Sequence, residues 1–129
     1  MNKFLWSIAA IGLGAAGWVL AQQPSFARIP VQTQDLSMPG KIAVQVIGEF
    51  EPGAGSGRHT HPGEELAYVL EGQIEVRIDG QPPRVVKAGE AFFFPAGVVH
   101  EGVNTGSTKT KVLATYIVEK GQPLATLAK

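Results

Sequence analysis

Few side chains in this sequence can bind a metal or move a proton near neutral pH. There are three histidines, His59, His61 and His100, and no cysteine. His59 and His61 stand two residues apart, a spacing that puts both imidazoles on one face of an extended strand. Pro62-Gly63 bends the chain after them, and Glu64-Glu65 supplies carboxylate immediately. Imidazole nitrogen with carboxylate oxygen suits Fe, Mn, Ni, Co, Cu or Zn, and suits Mg or Ca less because they prefer all-oxygen shells. The missing thiols exclude disulfides, thiolate metal sites and cysteine nucleophiles. On these residues alone two readings stay open. One is a metal site; the other is a pair of exposed loop histidines with His100 as a hydrogen-bonded core residue.

The elements that must place these residues are strands. Residues 41–50 (KIAVQVIGEF) set Ile42, Val44, Val46 and Phe50 on one side. Residues 65–70 form another strand; if Glu65 points inward, Ala67 and Val69 follow it, while Glu64 and Tyr68 point away. Glu71-Gly72 reads as a tight turn into residues 73–79, where Ile74, Val76 and Ile78 alternate with Glu75, Arg77 and Asp79. Asp79-Gly80 is a turn pair, and Pro82-Pro83 delays the next strand to Arg84. Residues 85–86, 91–94, 98–103 and 111–118 complete the set. With 16 Gly and 9 Pro punctuating them, these segments predict an all-β antiparallel barrel or sandwich of about eight strands, without a useful helix, an internal repeat or a second domain.

The 129 residues allow one domain with a real core. Eleven basic side chains balance eleven acidic ones, which leaves no basic stripe for a phosphate backbone and predicts no nucleic-acid partner. The uneven part is residues 4–21, which carry no charge and only Ser7 as a polar side chain. Lys3 precedes them and Val19-Leu20-Ala21 closes them with small residues where a signal peptidase reads, so residues 1–21 are expected to be a signal peptide cleaved after Ala21. The mature chain would then be periplasmic or secreted, with no stable membrane anchoring. An uncleaved anchor is the other reading of the same segment. Residues 22–40 read as a polar, Pro-containing leader or arm. Within it, residues 28–36 can pair at a sheet edge of this subunit or a neighbour's, because Ile29 and Val31 favour strands. The barrel is expected over 41–119 and a C-terminal tail over 120–129.

Two gapped motifs give the histidines a context. The first runs Gly53, five residues, His59-Thr60-His61, three residues, Glu65, six residues, Gly72. The second runs Gly89, five residues, Pro95-Ala96-Gly97, two residues, His100, three residues, Asn104, and sixteen residues separate the two. Together they resemble the cupin superfamily, in the form of a small single-domain member. The resemblance implies a double-stranded β-helix barrel of the jelly-roll type. It also implies a divalent transition metal (Fe, Mn, Ni, Cu or Zn) held by His59, His61, Glu65 and His100, and a homodimer. Glu64 would face off the metal side, and Glu101 is expected on the surface or orienting a ligand. Gly53, Gly72, Gly89, Gly97 and Pro95 would serve backbone geometry.

Three imidazoles and one carboxylate leave up to two positions open on an octahedral ion, enough for water, dioxygen or a chelating ligand. Residues 92–94, Val98, Val103 and Leu113 are expected to give a mainly apolar lining. Arg58, next to His59, is favoured over Arg84 to reach the site mouth. Converging lysines or arginines for a phosphosugar are missing, so a small organic molecule is the expected ligand or substrate. Two functions fit: dioxygenase-like or other metal-dependent chemistry, and a non-catalytic small-ligand binding or sensing module.

Overall fold

Period-two alternation of apolar and polar side chains drives this chain into two antiparallel sheets. The computed structural model describes residues 23–129, so the expected signal peptide, residues 1–21, lies outside the described residues. In chain order the strands are β1 (Phe26–Asp35), β2 (Lys41–Phe50), β3 (His59–Thr60), β4 (Gly63–Glu71), β5 (Gln73–Ile78), β6 (Arg84–Lys87), β7 (Ala91–Phe94), β8 (His100–Val103), β9 (Thr110–Glu119) and β10 (Thr126–Leu127). One five-stranded sheet has the order β1-β2-β9-β4-β7 and the other β10-β3-β8-β5-β6. No helix is present among the described residues.

Ten strands replace the expected eight or so, and the additions have physical reasons. Strands β3 and β10 are two residues each, too short for any alternation to register. Strand β1 is exposed along most of its length, so its sequence carries little inward pattern. It pairs with β2 of the same chain, with a register shift between Pro30 and Gln32, and proline is tolerated there because this is an edge strand. The sheets thus take in residues on both sides of 41–119.

The inward faces meet in a core of Val46, Phe50, Val69, Ile74, Val86, Phe94, Val112 and Val118, with others. Strand β4 alternates as its sequence requires: Gly63, Glu65, Ala67 and Val69 are buried, while Glu64, Leu66, Tyr68 and Leu70 are exposed. Gly63 is needed for close approach, since a Cβ there would lie 1.9 Å from the Ile117 carbonyl oxygen across the β4–β9 ladder. Gly72 combines a φ of 73° with a Cβ position 2.7 Å from the Lys109 carbonyl. Asn104 is fully buried and ties two loops together. Its Nδ2 donates to the carbonyls of Phe50 and Thr108, and its Oδ1 accepts from the Gly106 amide.

Candidate metal centre

Strand pairing brings the three histidines together. β3 presents His59 and pairs it directly with His100 of β8; His61 follows in the link to β4, and Glu65 enters from the buried face of β4. All four side chains are buried, and one ligand atom from each lies within 4.8 Å of the others. The geometry removes the reading in which His59 and His61 are exposed on a loop: they are only 4% and 3% exposed.

Each imidazole is oriented through its Nδ1. That of His59 donates to the Gly57 carbonyl (2.7 Å), that of His61 to the Leu124 carbonyl (2.6 Å) and that of His100 to the Val98 carbonyl (2.9 Å). A carbonyl can only accept, so the proton sits on Nδ1 and the Nε2 lone pair of each ring is left free. These lone pairs converge. The Nε2 atoms of His59 and His61 are 3.1 Å apart, and Glu65 Oε2 lies 3.0 Å from Nε2 of His61 and 3.3 Å from Nε2 of His100. His100 Nε2 is buried without an aligned hydrogen-bond partner. Three lone pairs and a carboxylate oxygen aimed at one point repel one another until a cation sits between them, so this donor set fits a divalent metal.

Electrostatics agree. Burial pushes the His59 imidazole down to about 4, with His100, His61 and Arg28 adding to the effect, which keeps it in the neutral, ligating form. Burial alone would raise the Glu65 carboxyl; with a proton on the facing Nε2 atoms, hydrogen bonds and charge from His100 and His61 outweigh that and hold it at about 2, the N–H groups then standing where a metal cation would otherwise offset the carboxylate. Tyr116, whose ring lies 4.5 Å from His61, is pushed up by burial and by Glu65, so its phenol stays protonated.

Beside the ligand atoms lies a cavity of about 40 Å³ walled by Phe26, Val46, Phe50, Phe92, Phe94, Val112 and Tyr116, among others. Several expectations change here. Phe93 is half exposed on the outer surface, and Val98, Val103 and Leu113 do not line the cavity, because alternation turns Phe93 and Leu113 outward from their strands. Arg58 does not reach the site; it pairs with Asp79 on the surface at 2.5 Å. The arginine that does reach it is Arg28 of β1, whose Nη2 lies 3.3 Å from His59 Nε2. Glu64 is exposed, and Glu101 pairs with Arg77 at 3.1 Å. Gly53, Gly72, Gly89 and Gly97 all adopt positive φ, in keeping with their expected backbone role.

The cupin domain family model matches residues 46–116. The chain is similar to the HTH-type transcriptional regulator PuuR of Escherichia coli (strain K12), 30% identical over 79 residues that make up 60% of this chain and 42% of that protein. It is also similar to oxalate oxidase 2 of Hordeum vulgare, 33% identical over 76 residues, 53% of this chain and 34% of that protein. The chain therefore spans less than half the length of these relatives. Among solved structures, an uncharacterized conserved protein with a double-stranded β-helix domain from Klebsiella pneumoniae subsp. pneumoniae MGH 78578 superposes with a TM-score of 0.66 at 20% identity, covering 87% of this chain and 91% of that one.

Proposed function

This chain belongs to the cupin domain family, and from that premise we propose that His59, His61, Glu65 and His100 hold a divalent transition metal (Fe, Mn, Ni, Cu or Zn) whose open positions act on a small organic molecule. The observation that carries this is the set of three Nδ1–H···O=C bonds, which aims three imidazole lone pairs at the Glu65 carboxylate. When bound, such an ion supplies Lewis acidity and, if redox-active, oxygen activation. The protein's part is to exclude water with aromatic walls and to keep Glu65 ionised and His59 neutral. Similarity to an oxalate oxidase supports metal-dependent oxidation of a small substrate. Beyond the four ligands, the cavity's ionisable side chains are Arg28 and the protonated Tyr116; neither is a general base near neutral pH, so the chemistry centres on the metal.

A non-catalytic binding or sensing module is the second reading, favoured by the similarity to a transcriptional regulator. Elemental analysis of the purified protein, followed by oxygen uptake with catechols, flavonols, thiols and oxalate, separates the two. Turnover with one metal and one substrate class is expected. Metal binding and ligand-induced stabilisation without oxygen consumption for any pair would select the binding module. We further propose export directed by residues 1–21, checked by N-terminal sequencing of protein recovered outside the cytoplasm. A homodimer formed through the outer face of β4 and β7 is also proposed, since Leu66 and Phe93 face each other across the ladder and are half exposed. Light scattering of Phe93→Glu tests it; dissociation to monomer is expected.

A further inference from the structure

We propose that Arg28 is the anion anchor of the cavity and that the molecule it helps to hold beside the metal is a small carboxylate. Arg28 stands outside residues 46–116 matched by the family model, on the edge strand β1. It nonetheless lines the cavity, with Nη2 3.3 Å from His59 Nε2. Its guanidinium lies 4.8 Å over the Phe26 ring, which in turn stacks on Phe50 at 4.4 Å. Gly48, its partner across the β1–β2 ladder, leaves the adjoining space open; a Cβ there would meet the Phe50 ring at 3.1 Å and the Phe26 ring at 3.5 Å. The planar group is thus held in one orientation before any ligand arrives.

What Arg28 lacks is a counter-charge. Arg58 and Arg77 pair with surface carboxylates, whereas Arg28 has no ion pair among the described residues and its buried Nε has no hydrogen-bond partner. Its hydrogen bond to His59 Nε2 is to the lone pair that a metal would take. Charge counting then selects the ligand. Glu65 is the one carboxylate in the donor set, so a divalent ion keeps one net positive charge there, and Arg28 adds another a few ångströms away. A negatively charged ligand relieves both, and a carboxylate matches the guanidinium fork in two hydrogen bonds. On the scale where one water needs roughly 10–15 Å³ of such space, the cavity of about 40 Å³ admits only a few heavy atoms. A phosphate would bring further charged oxygens against Phe26, Phe50, Phe92 and Phe94, with only the Ser56 and Tyr116 hydroxyls left in the lining as side-chain donors beyond Arg28 and the ligand set.

The assignment rests on reading the His-His-Glu-His group as a metal site, and the test separates the two. Mn²⁺ affinity, then acetate and acetamide affinity of the Mn²⁺-loaded protein, would be measured for wild type, Arg28→Gln and Arg28→Lys. The anchor role predicts that Arg28→Gln binds Mn²⁺ more tightly, because a like charge beside His59 is gone. It binds acetate about 10- to 100-fold more weakly, the loss of a charge-assisted pair. Arg28→Lys should recover part of the acetate affinity, and wild type should prefer acetate to its neutral isostere acetamide. A purely structural arginine would weaken Mn²⁺ and acetate together, which would overturn the proposal. Unchanged acetate affinity in Mn²⁺-loaded Arg28→Gln, equal binding of acetamide, or tighter binding of inorganic phosphate would overturn it while leaving the metal site standing. Wild-type protein that takes up no Mn²⁺, Fe²⁺, Ni²⁺, Cu²⁺ or Zn²⁺ would overturn the metal site and this proposal with it.

Discussion

His61 Nδ1 donates to the carbonyl of Leu124 at 2.6 Å, across 63 positions of sequence. The C-terminal segment is therefore a wall of the candidate metal centre. It braces the neighbouring ligand as well, for Leu127 pairs with His59 across the β10–β3 ladder and the Ala128 amide donates to the Arg58 carbonyl. A partner that fixes the tautomer of a ligating imidazole typically changes metal affinity by about 10- to 100-fold. Deleting residues 122–129 is expected to leave a β-rich circular dichroism spectrum and to weaken metal binding by that order in a chelator competition assay.

Metal should stabilise the fold, because the converging lone pairs exist only in the folded chain. A ligand that binds only the native state adds about 4 kcal/mol at a thousandfold excess over its Kd. Thermal melts with chelator and with added metal should differ accordingly in wild type. In His100→Ala, which loses one donor from the fully buried side of the site, metal content should fall sharply and the melt should become insensitive to metal.

Acid should weaken the metal-free barrel in two stages. The folded state holds His59 at about 4 against an ordinary 6.5, so between those values the unfolded chain binds the extra proton. Stability is then fully present above 6.5 and falls as pH drops toward 4. Glu65, held at about 2 against an ordinary 4.5, contributes stability that is lost as pH falls through that lower window. Melting temperature measured against pH in chelator should decline below 6.5 and keep declining below 4.5. A flat profile from 7 to 4 would contradict the burial of a neutral His59.

That His59, His61, Glu65 and His100 would cluster was legible because the signal is local: two residues of spacing in a strand, a carboxylate on the inward phase of β4, and a second motif delivering His100. The long strands β2, β4, β5 and β9 were legible through alternation for the same reason. What was hidden is instructive. Arg58 drew attention by adjoining His59, yet successive residues of an extended chain face opposite sides, so adjacency to an inward ligand predicts a surface position, and Arg58 has one. Arg28 sits on an edge strand whose exposed residues give no inward pattern, and only the β1–β2 register places it at the site. The Leu124 carbonyl is a backbone group, which no residue type reveals.

Gly63 sets where β4 begins and hence where Glu65 points. A Cβ at this position would stand 1.9 Å from the Ile117 carbonyl oxygen and 2.8 Å from Val118 Cα, and both obstacles are backbone of the neighbouring strand β9, unable to swing aside as a side chain would. Gly63→Ala must push β4 away from β9 at its first rung, two residues before Glu65. Overpacking of this kind costs about 1–3 kcal/mol, and the displacement should also reduce metal uptake. Gly80 is the matched control: its φ is 79° and nothing lies within 4 Å of its Cβ position. Gly80→Ala should therefore cost about 1–2 kcal/mol of backbone strain alone with metal uptake unchanged. Denaturant melts combined with metal analysis of the two variants distinguish the effects. Equal metal content in both would show that the first rung of β4 does not position Glu65.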